Sequence, residues 1–289
     1  MQIASPSEKG VDRNSTLNRI FLGDCLAVLA EEITDKSIDM IYLDPPFFSG
    51  REYGSGDGIG FSDKWSGGIS DYVSWMKPRL TKCHKALKET GSLYLHCNWY
   101  ADAHLRILLD EIFGHQIRCE LVWDKGFRGT RRQRNWQQSH DIILYYTKSN
   151  RYTWNEQYQD YADNQMKRYN KLDDDGRMFA LIKRRRTDGT VYYGRTYPKG
   201  KSLNDVLRVP LLSATAHERL GYPTQKPQKL LQILISSSTN KDDVVLDPFC
   251  GSGTTLSAAQ SLERNWIGID VSKEACRIAT KRLAEGESM

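Results

Sequence analysis

Residues 243–255 read DVVLDPFCGSGTT. The apolar run at 243–246 fits a strand, and Asp247-Pro248 ends it, because proline brings no N–H to a ladder. Gly251 and Gly253 let the backbone turn tightly and approach a ligand. A helix over about 254–262 then presents free N–H groups at its start. A strand at 265–269 follows, ends in Asp270, and leads into a helix over about 273–284. An acid at the end of that second strand suits a ribose diol, so the unit suits an adenosine-containing cofactor. An ordinary strand-to-helix turn shares the pattern and stays open as a reading. No G-x-x-x-x-G-K-[ST] occurs, and Gly251-Ser252-Gly253 is followed by Thr254, Thr255 and Leu256. Neither an NTP cradle nor a six-residue dinucleotide fingerprint is supported.

A second constellation lies near the other end of the chain. Residues 38–43 (IDMIYL) form an apolar run that stops at Asp44-Pro45-Pro46-Phe47. Ligands of open α/β sheets bind at this strand edge. Asp44 offers a carboxylate acceptor, the Pro45 carbonyl a second acceptor, and Phe47 an aromatic face. Together they suit a flat ring bearing an exocyclic NH₂ group. A solvated carboxylate beside a strand-ending Pro-Pro is the bland alternative.

Between and around these motifs, strand-like and helix-like stretches alternate. Strands are expected at 19–23, 91–96, 117–123 and 141–147, and helices at 24–32, 71–88, 100–113 and 227–238. The alternation predicts an α/β fold with a mostly parallel, buried sheet. Residues 49–70 are glycine-rich with little periodicity and predict a long flexible loop, a lid by position. Residues 150–215 are polar, tyrosine-rich and cationic, and predict an inserted recognition region outside the sheet.

The composition of the 289 residues narrows the class. Hydrophobic residues make up 39% and charged residues 27%, enough apolar character for a core. No apolar run approaches a membrane span, and the N-terminal residues lack an apolar signal segment. Six scattered cysteines do not form a disulfide framework, so an intracellular, cytoplasmic setting is expected. The net charge is only +5, but the basic residues cluster. Arg128, Arg131, Arg132 and Arg134 form one run, and Lys183, Arg184, Arg185 and Arg186 another. Such runs, interleaved with aromatics, suit a polyanion, although a solvated loop has the same look. Cys83-His84 and His96-Cys97 invite a zinc reading. Neighbours on a strand point to opposite faces, so no metal site is expected.

The Asp44–Phe47 tetrad and the Asp247–Thr255 segment resemble the two signature motifs of AdoMet-dependent DNA amino-methyltransferases. Gly23-Asp24-Cys25 looks like the family's cofactor-adenine segment. Tyr222-Pro223-Thr224-Gln225-Lys226-Pro227 is similar to its (H)PTQKP segment, with Tyr in place of the usual His. Trp266–Ser272 looks like its ribose-binding strand. The order, with D-P-P-F first and G-S-G last, is that of the circularly permuted β group.

The resemblance implies a Rossmann-like sheet and S-adenosyl-L-methionine (AdoMet) as cofactor. It divides the chain into a catalytic half at 17–149, a target-recognition region at 150–215 and an AdoMet-binding half at 216–285. Asp44, Pro45, Pro46 and Phe47 would be catalytic. Asp24 and Cys25 would meet the cofactor's adenine and Asp270 its ribose. Asp247, Phe249, Gly251, Ser252, Gly253 and Thr254 would form the methionine pocket, with Thr224 and Lys226 beside it. The partner would be double-stranded DNA, contacted at phosphates by the two basic runs. A homodimer and a cognate restriction enzyme are compatible with the resemblance. Asp-Pro-Pro favours adenine N6 as the methylated atom. Cytosine N4, RNA methylation and a catalytically silent DNA-binding module are the alternatives. Cytosine C5 chemistry is disfavoured, since no Pro-Cys dipeptide supplies its nucleophile.

Overall fold

Apolar runs that cannot stay in water build the central sheet: all six residues of Ile38–Leu43 are buried. The computed structural model describes residues 3–4, 16–55, 59–126, 134, 136, 138–161 and 163–286. In chain order the elements begin with β1 (Ile3–Ala4), β2 (Arg19–Leu22), α1 (Cys25–Glu31), β3 (Ile38–Leu43), β4 (Glu52–Ser55), β5 (Ile59–Ser62) and α2 (Ile69–Ala86). Next come β6 (Leu87–Cys97), α3 (Asp102–Phe113), β7 (Ile117–Asp124), β8 (His140–Thr147), β9 (Tyr158–Gln159), α4 (Asp163–Met166) and β10 (Lys171–Leu172). The rest are β11 (Met178–Arg185), β12 (Val191–Thr196), β13 (Lys201–Ser202), β14 (Val206–Arg208), α5 (Gln228–Ser238), β15 (Val244–Asp247), α6 (Thr254–Ser261), β16 (Asn265–Asp270) and α7 (Lys273–Gly286).

Among the described residues, nine strands pair in the order β1-β2-β16-β15-β3-β6-β8-β7-β14. All neighbours are parallel except at β8, which runs against both β6 and β7. The carboxyl ends of β3, β15 and β16 therefore share one edge, which is where a doubly wound sheet opens a ligand crevice. The first and last thirds of the chain interleave there. β15 and β16 occupy the space between β2 and β3, with Leu246 opposite Ile41 and Gly268 opposite Ile20. A Cβ at Gly268 would lie 2.5 Å from Leu256 Cδ1 and 3.0 Å from Cys250 Sγ, so both side chains would have to shift.

The helices bury apolar faces against this sheet. Tyr72, Met76, Leu80 and Cys83 of α2 join Leu105, Leu109 and Phe113 of α3 in the core with Leu93 and Leu95 of β6. Asp24 caps α1 by accepting from the Leu26 N–H at 2.9 Å.

Two expectations need correction. The glycine-rich stretch after Asp44 is not wholly a loop: Glu52–Ser55 and Ile59–Ser62 pair as an antiparallel hairpin, Tyr53 opposite Phe61. Glycines masked the two-residue alternation that marks a strand. The polar stretch at 150–215 was expected to lie outside the sheet, yet Val206–Arg208 joins it as β14, parallel to β7. Three residues are too few to show a period, and Val122 N–H donates to Asp205 O at 2.8 Å to start the pairing.

The chain forms two compact units, residues 1–155 with 205–289, and Glu156–Asn204. The smaller unit contains the β10-β11-β12 sheet and the β9-β13 pair. Its Asp173 accepts from Tyr197 and Arg177 and closes the turn before β11.

Candidate active site

Both sequence motifs open onto one cavity of about 450 Å³ at the shared strand edge. Asp44, Pro45, Pro46 and Phe47 line it from β3. Asp247, Phe249, Gly251, Ser252 and Thr254 line it from the turn after β15, and Asp270 from the end of β16. Asp24, Cys25, Thr224 and Lys226 complete that set. Gly253 does not line the cavity. Its φ of 75° starts α6, and a Cβ there would lie 2.8 Å from Ala279 Cβ. That glycine permits the close approach of α7.

The turn after β15 is held by carboxylates. Asp270 accepts from Gly251 N–H at 2.9 Å and from Ser272 N–H at 2.8 Å. Asp247 accepts from Phe249 N–H at 3.0 Å. Asp24 accepts from Arg79 at 2.6 Å as well as capping α1. Each of these oxygens keeps a second lone pair for a ligand. Burial pushes the Asp270 carboxyl up, and pushes Asp247 up to about 7, with Asp44 and Asp270 adding repulsion. Buried acids crowded in this way leave the cavity suited to a cationic ligand.

The catalytic side is more tightly wired. Lys226 Nζ donates to Asp44 Oδ2 and, at 3.3 Å, to the Thr224 carbonyl. Lys226, expected beside the cofactor, lines the cavity; its ammonium engages the Asp44 carboxylate and lies 5.4 Å from the Phe47 ring centroid. Tyr72 donates to the Pro46 carbonyl at 2.7 Å. Among the described residues the Pro45 carbonyl accepts no hydrogen bond, and Pro45 lines the cavity. His96 lies beneath, its Nδ1 3.7 Å from Asp44 Oδ1.

Asp63 fixes the chain that leaves the tetrad. Its fully buried carboxylate accepts from the backbone N–H groups of Phe47, Phe48 and Ser49 at 3.1, 2.9 and 2.7 Å. The Ser49 hydroxyl and the Trp65 indole donate to it as well, at 2.6 and 3.1 Å. Phe48 sits at φ 57°, a strained conformation for an aromatic residue that this clamp maintains.

This arrangement of two acidic turns on one parallel edge agrees with comparisons to known proteins. Residues 38–281 match the N6/N4 methyltransferase family model, described as DNA methylase. The chain belongs to that family. Among its relatives, the Type II methyltransferase M.HinfI of Haemophilus influenzae is 31% identical, with 94% of this chain and 70% of the relative covered. The DNA adenine methyltransferase YhdJ of Escherichia coli is 28% identical, with 91% and 82% covered. Two solved structures share the fold. The PvuII DNA methyltransferase (cytosine-N4-specific) superimposes with a TM-score of 0.61 at 17% identity, covering 91% of this chain and 85% of that one. The M1.HpyAVI–SAM complex gives 0.59 at 23%, covering 91% and 98%. The methyltransferase sheet that the sequence predicts is therefore the one observed.

In this DNA methylase the basic runs fall in different places. Arg128, Arg131 and Arg132 lie outside the described residues. Arg134 is exposed. Lys183, Arg184, Arg185 and Arg186 are exposed along β11 and the turn after it, in the smaller unit. There Lys183 pairs with Tyr193 and Arg184 with Tyr192, and the Arg186 guanidinium lies 5.3 Å from the Tyr192 ring centroid. No helix among the described residues is long and apolar enough to cross a membrane.

The sequence reading missed Asp63 and Asp141, and weighed His96 only as a metal ligand. Among the described residues no group of His, Cys, Asp and Glu is arranged to hold a metal. His96 and Cys97 do diverge, the first towards Asp44 and the second into the core cluster. The position of His96 at the end of the strand beside β3 was the available signal.

Proposed function

We propose that the chain transfers a methyl group from AdoMet to the N6 amine of an adenine flipped out of duplex DNA. One observation carries this reading: a carboxylate acceptor, Asp44, and an open carbonyl, Pro45, stand beside the Phe47 ring at the edge of a cavity of about 450 Å³. AdoMet supplies an activated methyl on a cationic sulfur. The residues around Asp247 and Asp270 suit it because they offer acidic groups and no phosphate-binding lysine cluster. In this reading Asp24 meets its adenine, Asp270 its ribose, and Asp247, Phe249, Gly251, Ser252 and Thr254 the methionine end.

The amine of adenine is a poor nucleophile because its lone pair is conjugated with the ring. Asp44 and the Pro45 carbonyl would accept its two N–H bonds and favour a more tetrahedral, nucleophilic nitrogen; AdoMet, held by the residues around Asp247 and Asp270, would supply the methyl and leave as a neutral thioether. Orientation and fixed charge supply most of the acceleration. Lys226 occupies the Asp44 oxygen in the free protein, so base entry displaces or shares that interaction. Asp44 takes the proton released after transfer. Phe47 stacks on the extruded base, whose unstacking the pocket must compensate.

Labelled AdoMet and unmethylated genomic DNA test this, with nucleosides resolved by mass. Label in N6-methyladenine supports the reading. Label in N4-methylcytosine replaces the substrate and keeps the mechanism. That second reading is favoured by the similarity to a cytosine-N4-specific structure, and the first by the adenine methyltransferase among the relatives. The Type II relatives extend the proposal to a cognate restriction enzyme sharing the recognition site. A homodimer, tested by sedimentation velocity, extends it further.

Residues 156–204 serve this reading as the centre of the recognition region, with the β11–β12 hairpin on phosphates. An Arg184→Ala/Arg185→Ala double variant is expected to weaken binding to all duplex sequences alike. It should flatten the salt dependence of log K by about 1 for each arginine–phosphate pair removed. An unchanged salt slope removes these residues from the interface.

Cofactor affinity should depend on pH. Asp247 is pushed up to about 7 by burial, so below that pH the empty site is neutral there and above it anionic. A cationic ligand prefers the anionic form. AdoMet affinity is therefore expected to rise with pH through about 7, with a proton released on binding. Calorimetry in two buffers of different ionisation enthalpy reads that proton directly, and its absence contradicts the assignment of Asp247.

A further inference from the structure

A row of polar side chains runs beneath Asp44. The sheet order β3-β6-β8-β7 sets Tyr42, His96, Asp141 and Trp123 side by side. Because β8 is reversed, its first residues reach this edge, and Asp141 pairs across from Trp123. His96 is fully buried between the Phe47 and Trp123 rings, with centroids 5.2 and 5.4 Å away. Its Nδ1 lies 2.8 Å from the Tyr42 hydroxyl; its Nε2 lies 3.4 Å from Asp141 Oδ2, within ion-pair reach, but like Asp44 Oδ1 it makes no formed hydrogen bond among the described residues. Asp141 in turn accepts from Lys125 at 2.7 Å. Asp44 Oδ1 is buried and has no hydrogen-bond partner among the described residues, while Oδ2 takes Lys226.

Charge decides where the imidazole proton sits. Burial pulls His96 below its usual range and keeps it neutral; Lys226 works in the same direction, and Asp141 and Asp44 oppose it. Burial opposes ionisation of Asp141, but His96 and Lys125 outweigh it and hold the carboxyl down to about 2. An ionised carboxylate can only accept, so the side of the ring facing Asp141 carries the proton. Nδ1 is then a bare lone pair. Burial pushes the Tyr42 phenol well up, so it keeps its proton and donates to Nδ1. Neither group of this pair is left to donate to Asp44 Oδ1.

We propose that Asp141 and Tyr42 lock His96 in the Nε2–H tautomer, and that this lock keeps the inner oxygen of Asp44 free of any protein hydrogen bond. The charge of Asp44 is then reserved for the amine at its outer oxygen. In the other tautomer an N–H would face Oδ1 from 3.7 Å, and a small rotation would close a charge-assisted bond that draws charge away from the substrate side. His96 and Asp141 are positioning residues. The inference rests on the proposed role of Asp44.

The test uses the full chain and two readouts. Long-range proton–nitrogen correlation spectra report the tautomer of His96, with His96→Gln identifying its signals. In the wild type, Nε2 should be protonated and Nδ1 bare. Asp141→Asn places an amide donor at Nε2 and should move the proton to Nδ1. Its kcat for methyl transfer should fall about 10- to 100-fold, the scale of one hydrogen bond to a charged group. AdoMet Kd and the KM for DNA should stay within about threefold. A wild-type proton on Nδ1 overturns the inference and needs no variant to be seen. So does a reversed tautomer with unchanged kcat, or a lost kcat with the tautomer unmoved. A wild-type chain that transfers no methyl to DNA overturns the proposed function and this inference with it. Wild-type transfer with an unresponsive Asp141→Asn variant overturns the inference alone.

Discussion

Asp44→Ala is expected to lower methyl transfer to DNA by about 100- to 10,000-fold, the range of a lost acid–base partner. The loss should appear in kcat, because the acceptor acts on the amine as it becomes tetrahedral and contributes less to ground-state binding. The variant also leaves Lys226 without the carboxylate it engages, and only 8% of Lys226 is exposed. Asp44→Asn is the necessary companion, since it keeps the shape and loses the charge. Both should still bind AdoMet, because the acids at 24, 247 and 270 are untouched. Labelled transfer with nucleoside mass analysis measures the effect. Turnover within about threefold of wild type in Asp44→Ala would remove the D-P-P-F tetrad from the chemistry.

Asp63→Ala is expected to have the largest structural effect. Five donors converge on this one carboxylate: three successive backbone N–H groups, the Ser49 hydroxyl and the Trp65 indole. Removing a buried acceptor leaves its donors unpaired, and each fully orphaned group costs about 1–3 kcal/mol. Phe47, Phe48 and Ser49 are only partly buried, so water re-solvates some of them. A net loss of about 2–4 kcal/mol is expected, or roughly 5–10 °C in Tm. Release of the clamp also frees Phe47, so kcat should fall even where the protein remains folded. Asp63→Asn keeps one acceptor and should lie between. A thermal melt of Asp63→Ala within about 1 °C of wild type contradicts the clamp.

Much of this architecture was legible in the chain. Ile38–Leu43 and Val244–Asp247 announce themselves as apolar runs cut off by Asp-Pro, and that same cut places both acids at the strand edge. What escaped notice has physical reasons. Asp63 lies far along the chain from Phe47, and a carboxylate that gathers backbone donors has no pattern of its own. The hairpin that carries it is disguised by glycine at positions 54 and 60, which carry no alternating side chains. His96 and Asp141 meet only because β8 is reversed, and strand direction is not encoded in periodicity. Lys226 was expected near the cofactor by analogy; its long stem carries the ammonium across to Asp44, a reach that spacing alone does not reveal. The cofactor-side residues were the easiest to name because a tight turn demands glycine; at Gly253 the same demand also admits the packing of α7.

The interleaving of the first and last strands has a consequence for how the molecule comes into being. β2 and β3 leave the ribosome well before β15 and β16, which fill the space between them. Until those strands arrive, β2 and β3 each lack a neighbour, and the acid-lined cavity has only one wall. Pairings between residues some 200 positions apart, such as Leu246 with Ile41, carry a high contact order and close late. A nascent chain therefore displays an open sheet edge until β15 and β16 are made, and its cofactor pocket forms only with them. Catalytic competence in this molecule waits on β15 and β16, which follow the tetrad by some 200 residues.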